Sequence, residues 1–379
     1  MWFKHNRALL VKVSLLLVVL LVVGLASSGC VRGLQPVGWS GGTISEGTLF
    51  VGSKEGRLVA VSLADESCQW SEPLTSSSGG GFGLSCAASS AGVAIYGAPA
   101  ISEDLVYVGG YNGKVHAFNS SSLELRWVYP REGSLQSIVG GVVVAQGRVY
   151  FGDSDGKVYA LDAATGDKQW EFETGDKIWS TPAVSDGALF VGSFDNKLYA
   201  LDAVTGEGQW EFEAGGAVTS TPLVYNEVVY VGSFDRYLYA LDAASGNLIW
   251  KFMGENCFWA EPVVYDDIIY AANLDGEVYA LQADSGAKVA EFDLESPVSS
   301  SPVVVNRSII FASQQGVIYT LDTIGNELGS LADIGEKVYG PLCASEDGVI
   351  YIHTQDLTLH RINANTGAVL MSVSLKSQK

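Results

Sequence analysis

Three features of the sequence predict an all-β fold built from repeated four-stranded units. The first is a repeat: residues 158–170 read VYALDAATGDKQW, residues 198–210 LYALDAVTGEGQW and residues 238–250 LYALDAASGNLIW. The second is the rhythm within each repeat, where short apolar stretches alternate with turn signals. The third is composition. With 44 Gly, 17 Tyr and 9 Trp in 379 residues, and only 17% charged residues, the chain suits strands and tight turns rather than helices.

The repeat sets the architecture. Tyr159, Tyr199, Tyr239, Tyr279 and Tyr319 follow one another at intervals of 40. Val59 and His116 take the same place upstream and His360 downstream, which makes eight copies. The interval widens to 43 between His116 and Tyr159 and to 57 between Val59 and His116. Within one copy, stretches 182–184, 188–191, 197–201 and 209–212 read as strands. Asp186-Gly187, residues 194–196 and Thr205-Gly206 read as the turns between them. A helical repeat of this length would instead carry apolar stripes at period 3.6 and few glycine turns. Four antiparallel strands in each of eight copies predict an eight-bladed β-propeller. The propeller is expected to fill residues 37–379 as one domain, with an insertion at about 71–92.

The first thirty residues read as an address. Lys4, Arg7 and Lys12 precede residues 13–26, a run of mostly Leu and Val, and Ser27-Ser28-Gly29-Cys30 follows. A basic segment, a short apolar segment and small residues before a cut site describe a secretory signal. The apolar run is shorter than the roughly 20 residues a spanning helix needs. The small-small-Gly-Cys ending resembles the bacterial lipobox, although Ser27 stands where that motif usually has Leu. This resemblance implies a signal peptide over 1–29, a lipidated Cys30 and a tether over 30–36. An uncleaved signal-anchor is the other reading. Either way the domain is expected outside the cytoplasm, tied to a membrane.

Beyond the leader, 19 basic and 42 acidic side chains leave a strongly acidic surface. Such a surface repels phosphate backbones, so nucleic acid is not an expected partner. Cys68 and Cys86 flank a Ser/Gly-rich stretch and are candidates for a disulfide in an oxidising compartment. Cys257 and Cys343 fall in different repeats and are expected to be free. No CxxC or Cys/His cluster occurs, and His5, His116, His353 and His360 lack metal-ligand spacing, so no metal site is expected. Asp153, Asp155, Asp195, Asp235 and Asp275 recur in one turn of successive copies and read as turn residues rather than calcium ligands. Neither GxSxG, HExxH nor a P-loop appears.

The Ala-x-Asp-x-x-Thr-Gly-x-x-x-Trp pattern has a mechanical reading. Asp162, Asp202 and Asp242 accept backbone N–H groups at a turn, and Gly166, Gly206 and Gly246 take positive φ. Trp170, Trp210 and Trp250 then cover the neighbouring blade. Trp70 and Trp127 are expected in the same register, which decays to Ala290, Ser330 and Met371 in the last three copies.

This pattern resembles the tryptophan-docking motif of the pyrroloquinoline quinone (PQQ)-like propellers, over nearly all of the mature chain. Within them, a lipid-anchored eight-bladed propeller with nothing appended resembles the BamB-type outer-membrane assembly lipoproteins. That resemblance implies a monomeric, non-enzymatic scaffold that binds envelope or membrane proteins and uses no cofactor. The quinoprotein alcohol dehydrogenases share the repeat and are the alternative, with PQQ and calcium at the channel. They are known for an adjacent Cys-Cys disulfide, which this sequence lacks, and their calcium ligands and catalytic Asp have no motif here to carry them.

One set departs from packing logic. Trp39, Tyr96, Val139, Trp179, Thr219, Trp259, Ser299 and Val338, with Tyr339 beside the last, stand just before the first strand of successive copies. In a propeller that strand is innermost, so these residues are expected to ring one mouth of the central channel. They read either as channel filling or as a recognition rim. Trp39, Tyr96, Trp179 and Trp259 are the candidate anchors, among acidic neighbours Asp176, Glu255, Glu261, Glu295 and Glu336.

Overall fold

The computed structural model describes residues 40–53, 56–74, 93–322 and 327–376. Cys30, Trp39, Cys86 and the apolar run 13–26 lie outside the described residues. The expected fold is borne out: eight four-stranded antiparallel sheets form an eight-bladed β-propeller. The blades span 42–70, 100–129, 143–173, 183–213, 223–253, 263–293, 303–333 and 343–374, numbered 1 to 8 in chain order. Every blade takes four consecutive strands in sequential order. First strands touch first strands of neighbouring blades, from Gly42–Ser45 against Ala100–Ser102 through to Cys343–Ala344 against Gly42–Ser45, so they line the axis.

Burial follows position in the blade. In blade 4 the second strand Ala188–Gly192 and the third strand Lys197–Asp202 are buried on both faces. Each is sandwiched between two neighbouring blades, which explains their near-continuous apolar sequences. The outer strand Gly208–Glu213 alternates instead, sending charged side chains to solvent. The hydrophobic core therefore sits between blades, not within them. Tyr150, Val158, Ala160 and Trp170 of blade 3, for example, pack on Leu189, Val191, Tyr199 and Leu201 of blade 4.

The docking motif joins these layers. Trp127, Trp170, Trp210 and Trp250 each donate the indole N–H to the carbonyl of Ala163, Ala203, Ala243 and Ala283 in the next blade, at 2.9, 3.2, 3.0 and 2.9 Å. Tyr107, Tyr150 and Tyr230 donate hydroxyls to three of those same carbonyls. Each indole lies on a glycine of the next blade. A Cβ on Gly206 would stand 2.5 Å from Trp170, and one on Gly246 2.6 Å from Trp210. Those glycines also hold φ of 76° and 70°, a region that side chains resist. The Asp162, Asp202 and Asp242 carboxylates accept backbone N–H groups of Thr165, Thr205 and Ser245, closing the turn that presents each glycine. Hydrogen bonds from Thr205 and Ser245 also hold the Asp202 and Asp242 carboxyls below the usual range.

Trp70 corrects the expectation. In blade 3 Ala160 pairs with Trp170, and a bulge follows at Leu161. Blade 1 has no bulge there, so Ala60 pairs with Gln69 and Val59 with Trp70. One residue of slip turns a side chain to the opposite face of a sheet. Trp70 accordingly packs in the core shared with blade 8, not toward blade 2. The glycine place in blade 2 is taken by Leu123, at φ 55°, whose buried side chain packs on Phe50, Leu58 and Ala60 of blade 1. At this joint, where no indole docks, Leu123 fills the space.

The ring closes without strand exchange among the described residues. Leu49, Val51 and Val59 of blade 1 pack on Tyr351, Leu357 and Leu359 of blade 8. Buried His353 donates Nδ1–H to the Ser40 carbonyl at 3.0 Å, and burial holds its pKa below the ordinary value, keeping the ring neutral. Arg361 reaches Glu66 at 3.4 Å on the rim of the same seam.

Docked and undocked tryptophans should differ in stability. Trp170→Ala and Trp210→Ala should each cost about 3–5 kcal/mol, the range for large-to-small aromatic changes in a core. Trp70→Ala should cost clearly less. Denaturant melts of the three variants measure this, and equal losses for all three would contradict the docking assignment.

Candidate functional site: the aromatic channel mouth

Strand order fixes which face carries what. The turns between second and third strands and the connections into each first strand lie on one face of the disc. The Asp–Gly docking turns lie on the other. Residues 179–181 lead into blade 4 through a bend at Ser180. Ser180 turns into its own blade, bridging Gly192 through both its carbonyl and its N–H at 2.9 and 3.0 Å. Trp179 and Thr181, both part-exposed, flank it on this connection. Thr181 accepts the N–H of Gly141 at 2.7 Å, and Ser301 that of Glu261 at 3.3 Å, so neighbouring connections are laced around the mouth.

The structure brings two of the candidate anchors together. Trp179 and Trp259 enter non-adjacent blades 4 and 6, yet their rings meet edge-on with centroids 6.5 Å apart, across Thr219. Phe194 packs on Trp179 at 4.7 Å and on Phe234 at 6.1 Å, and Phe234 packs on Trp259 at 5.7 Å. Lys177 Nζ lies 4.4 Å from the Phe194 ring and 5.1 Å from Trp179. Both tryptophans are part-exposed. Tyr96 sits apart from this cluster and packs on Tyr111 at 5.4 Å, with burial pushing its hydroxyl pKa up.

Two features were missed in the sequence. Phe194 falls in a segment that reads as a turn, and nothing in the sequence reading singles out Phe234. Their signal was an aromatic at the turn apex, seen in blades 2, 4 and 5 as Tyr111, Phe194 and Phe234 and in no other described apex. In blade 8 the register residue is Tyr339, 40 residues after Ser299. Val338 is 1% exposed and belongs to the blade 7–8 core, so it is not a rim residue.

Polar groups at the mouth are under-satisfied. Trp179 Nε1, Thr219 Oγ1 and Ser299 Oγ are buried without hydrogen-bond partners. Each such group costs about 1–3 kcal/mol. Glu261 shares the inner register of Trp259 two residues on, open to the channel but ringed by protein. Burial alone pushes its carboxyl up to about 7, and no cation balances it. Of the other acids, Asp176, Glu255 and Glu295 are exposed. Glu336 is engaged by Thr354 and His360.

The remaining candidates are structural in their contacts. Asp195 accepts the N–H groups of Gly175 and Lys197 and the Tyr199 hydroxyl, and Asp235 repeats the arrangement. Asp153 accepts the N–H groups of Asp155 and Lys157. Cys68, Cys257 and Cys343 are free thiols, and the partner considered for Cys68, Cys86, lies outside the described residues. Burial pushes the Cys257 thiol up to about 11. Among the described residues, no group of three His, Cys, Asp or Glu side chains is placed to hold a metal ion. A calcium ion takes about six to eight oxygens, whereas Glu261 is the one carboxylate in the inner register of the described blades.

Comparison with known proteins agrees with this architecture. The family model described as outer membrane protein assembly factor BamB matches residues 26–177 and 158–372. The crystal structure of BamB from Moraxella catarrhalis superposes with a TM-score of 0.70 at 18% identity, covering 86% of this chain and 97% of that one. A computationally designed protein, Ika8, superposes equally well, with a TM-score of 0.70 at 15% identity over 87% of this chain and 97% of its own. At these identities the superpositions speak for the fold alone. No curated protein matches in sequence. Because the family model spans most of the chain, the protein belongs to the BamB family of PQQ-like β-propellers.

Proposed function

We propose that this protein is a non-enzymatic scaffold of the cell envelope, a lipid-anchored monomer that holds another envelope protein at its aromatic channel mouth. The observation that carries this reading is the Trp179–Phe194–Phe234–Trp259 cluster. It is part-exposed, lies on the face opposite the docking turns, and is separate from the docked indoles. Binding energy in protein interfaces concentrates on a few such aromatic anchors. Membership of a family described by outer-membrane protein assembly supports an envelope partner. The basic leader and the Ser27-Ser28-Gly29-Cys30 ending support anchorage through Cys30.

Two measurements test the reading. Replacing Trp179 and Trp259 together with Ala should leave the melting transition near wild type and abolish crosslinked capture of the envelope partner. Wild-type capture by that variant, or its collapse on heating, would overturn the rim. Cys30→Ser should release the protein from floated membranes. A variant that stays membrane-bound with its leader uncleaved would establish the signal-anchor instead.

A further inference from the structure

We propose that the mouth is built to receive an arginine side chain from a partner loop, its guanidinium pairing with Glu261 and packing on the indoles of Trp179 and Trp259. This names the partner chemistry of the rim and rests on the rim reading above.

Three observations converge on it. Glu261 is the lone charged residue in its inner register. The matching residues of the described blades are Gly41, Ala98, Gly141, Thr181, Thr221, Ser301 and Pro341. Its carboxylate has no hydrogen-bond partner among the described residues, while its own N–H is used by Ser301. A carboxylate held this way gains more from an incoming cation than one already paired or fully hydrated. The second observation is the aromatic cluster to which Trp259, two residues before Glu261, belongs. Indole faces attract guanidinium groups, and this cluster already holds one cation, the Lys177 ammonium, 4.4 Å from Phe194 and 5.1 Å from Trp179. The third is the set of stranded polar atoms. Thr219, which takes the same place in blade 5 between Trp179 and Trp259, is 5% exposed, and its hydroxyl and the Trp179 N–H have no partner. A peptide loop entering with its arginine brings carbonyls and N–H groups that satisfy both once the indoles part.

The electrostatic setting favours the same occupant. The flanking connections carry exposed Asp176, Glu255 and Glu295, and Lys177 is the one base on these entries near the cluster. The neighbours of Glu261 in its own register, Thr221 and Ser301, are uncharged, so it titrates against its surroundings and not against a paired group. Its carboxyl is pushed up to about 7, so recognition of a cation strengthens as pH rises through neutrality and fades below it.

The full-length protein is titrated with acetyl-Gly-Arg-Gly-amide and with the same peptide carrying citrulline, a neutral isostere of arginine. Indole fluorescence and the ¹⁵N-indole shift of Trp179 are read at pH 8 and pH 6. The arginine peptide should bind at least about tenfold tighter than the citrulline peptide at pH 8. That preference should shrink about tenfold by pH 6, following the ionised fraction of a carboxyl titrating near 7. Glu261→Gln should lose most of that preference and all of its pH dependence. Equal binding of the two peptides by the wild type, absence of binding, or a preference that survives Glu261→Gln undiminished would overturn the proposal. The two readings fail separately. If Trp179 and Trp259 prove necessary for partner capture but arginine is not preferred, only the arginine assignment falls; if they prove unnecessary, the rim falls with it.

Discussion

The indole of one blade lying flat on a glycine of the next, its N–H on that blade's alanine carbonyl, is the contact on which this architecture rests. A four-stranded sheet of some thirty residues cannot bury its own two faces. It is stable only when both are covered, and the covering must repeat at a fixed rotation to close a ring. At four of the eight joints, from blade 2 to blade 6, a docked indole sets that rotation. It fixes distance through the glycine, where a Cβ on Gly206 would meet Trp170 at 2.5 Å, and orientation through the Ala203 carbonyl. The Asp202 turn and the positive φ of Gly206 serve this one contact.

The joint also explains why the fold was legible in the sequence and where legibility ended. Residues repeated at intervals of 40 carry strand, turn and dock together, so the period alone yields blade number and strand order. What the period cannot convey is a bulge. Trp70 stands ten residues after Ala60, as Trp170 does after Ala160, but only the second pair is in register, because only blade 3 bulges between them. Leu123 in place of glycine was the visible trace of that difference. The mouth was half legible. Register placed Trp179 and Trp259 on the inner edge, but contact between residues two blades apart depends on the curvature of the closed ring. The enrolment of Phe194 and Phe234 depends on a turn and a connection sharing one face. Neither follows from spacing along a single repeat.

This division of labour has a physical logic. The groups that dock one blade on the next are satisfied: docked indole N–H groups, turn carboxylates and the Ser180 hydroxyl have partners. Groups at the channel mouth are not, with the Trp179 N–H and Thr219 hydroxyl stranded and the Glu261 carboxylate unbalanced. Unpaired buried atoms also occur elsewhere, as at His353 Nε2 and the Tyr351 hydroxyl, but those left unpaired at an open mouth are what an incoming segment can satisfy. The acidic exterior, with net charge −20, then favours a basic visitor.

The central claim, that docked indoles and not merely stacked sheets hold the ring, is tested most directly by hydrogen exchange of the tryptophan side chains. With ¹⁵N-tryptophan labelling, the indole N–H groups of Trp127, Trp170, Trp210 and Trp250 should exchange together and only through global unfolding. The Trp179 N–H, which has no acceptor, should exchange far faster. If the four docked indoles exchanged at separate, solvent-like rates while the strands stayed protected, the joints would be incidental to the propeller.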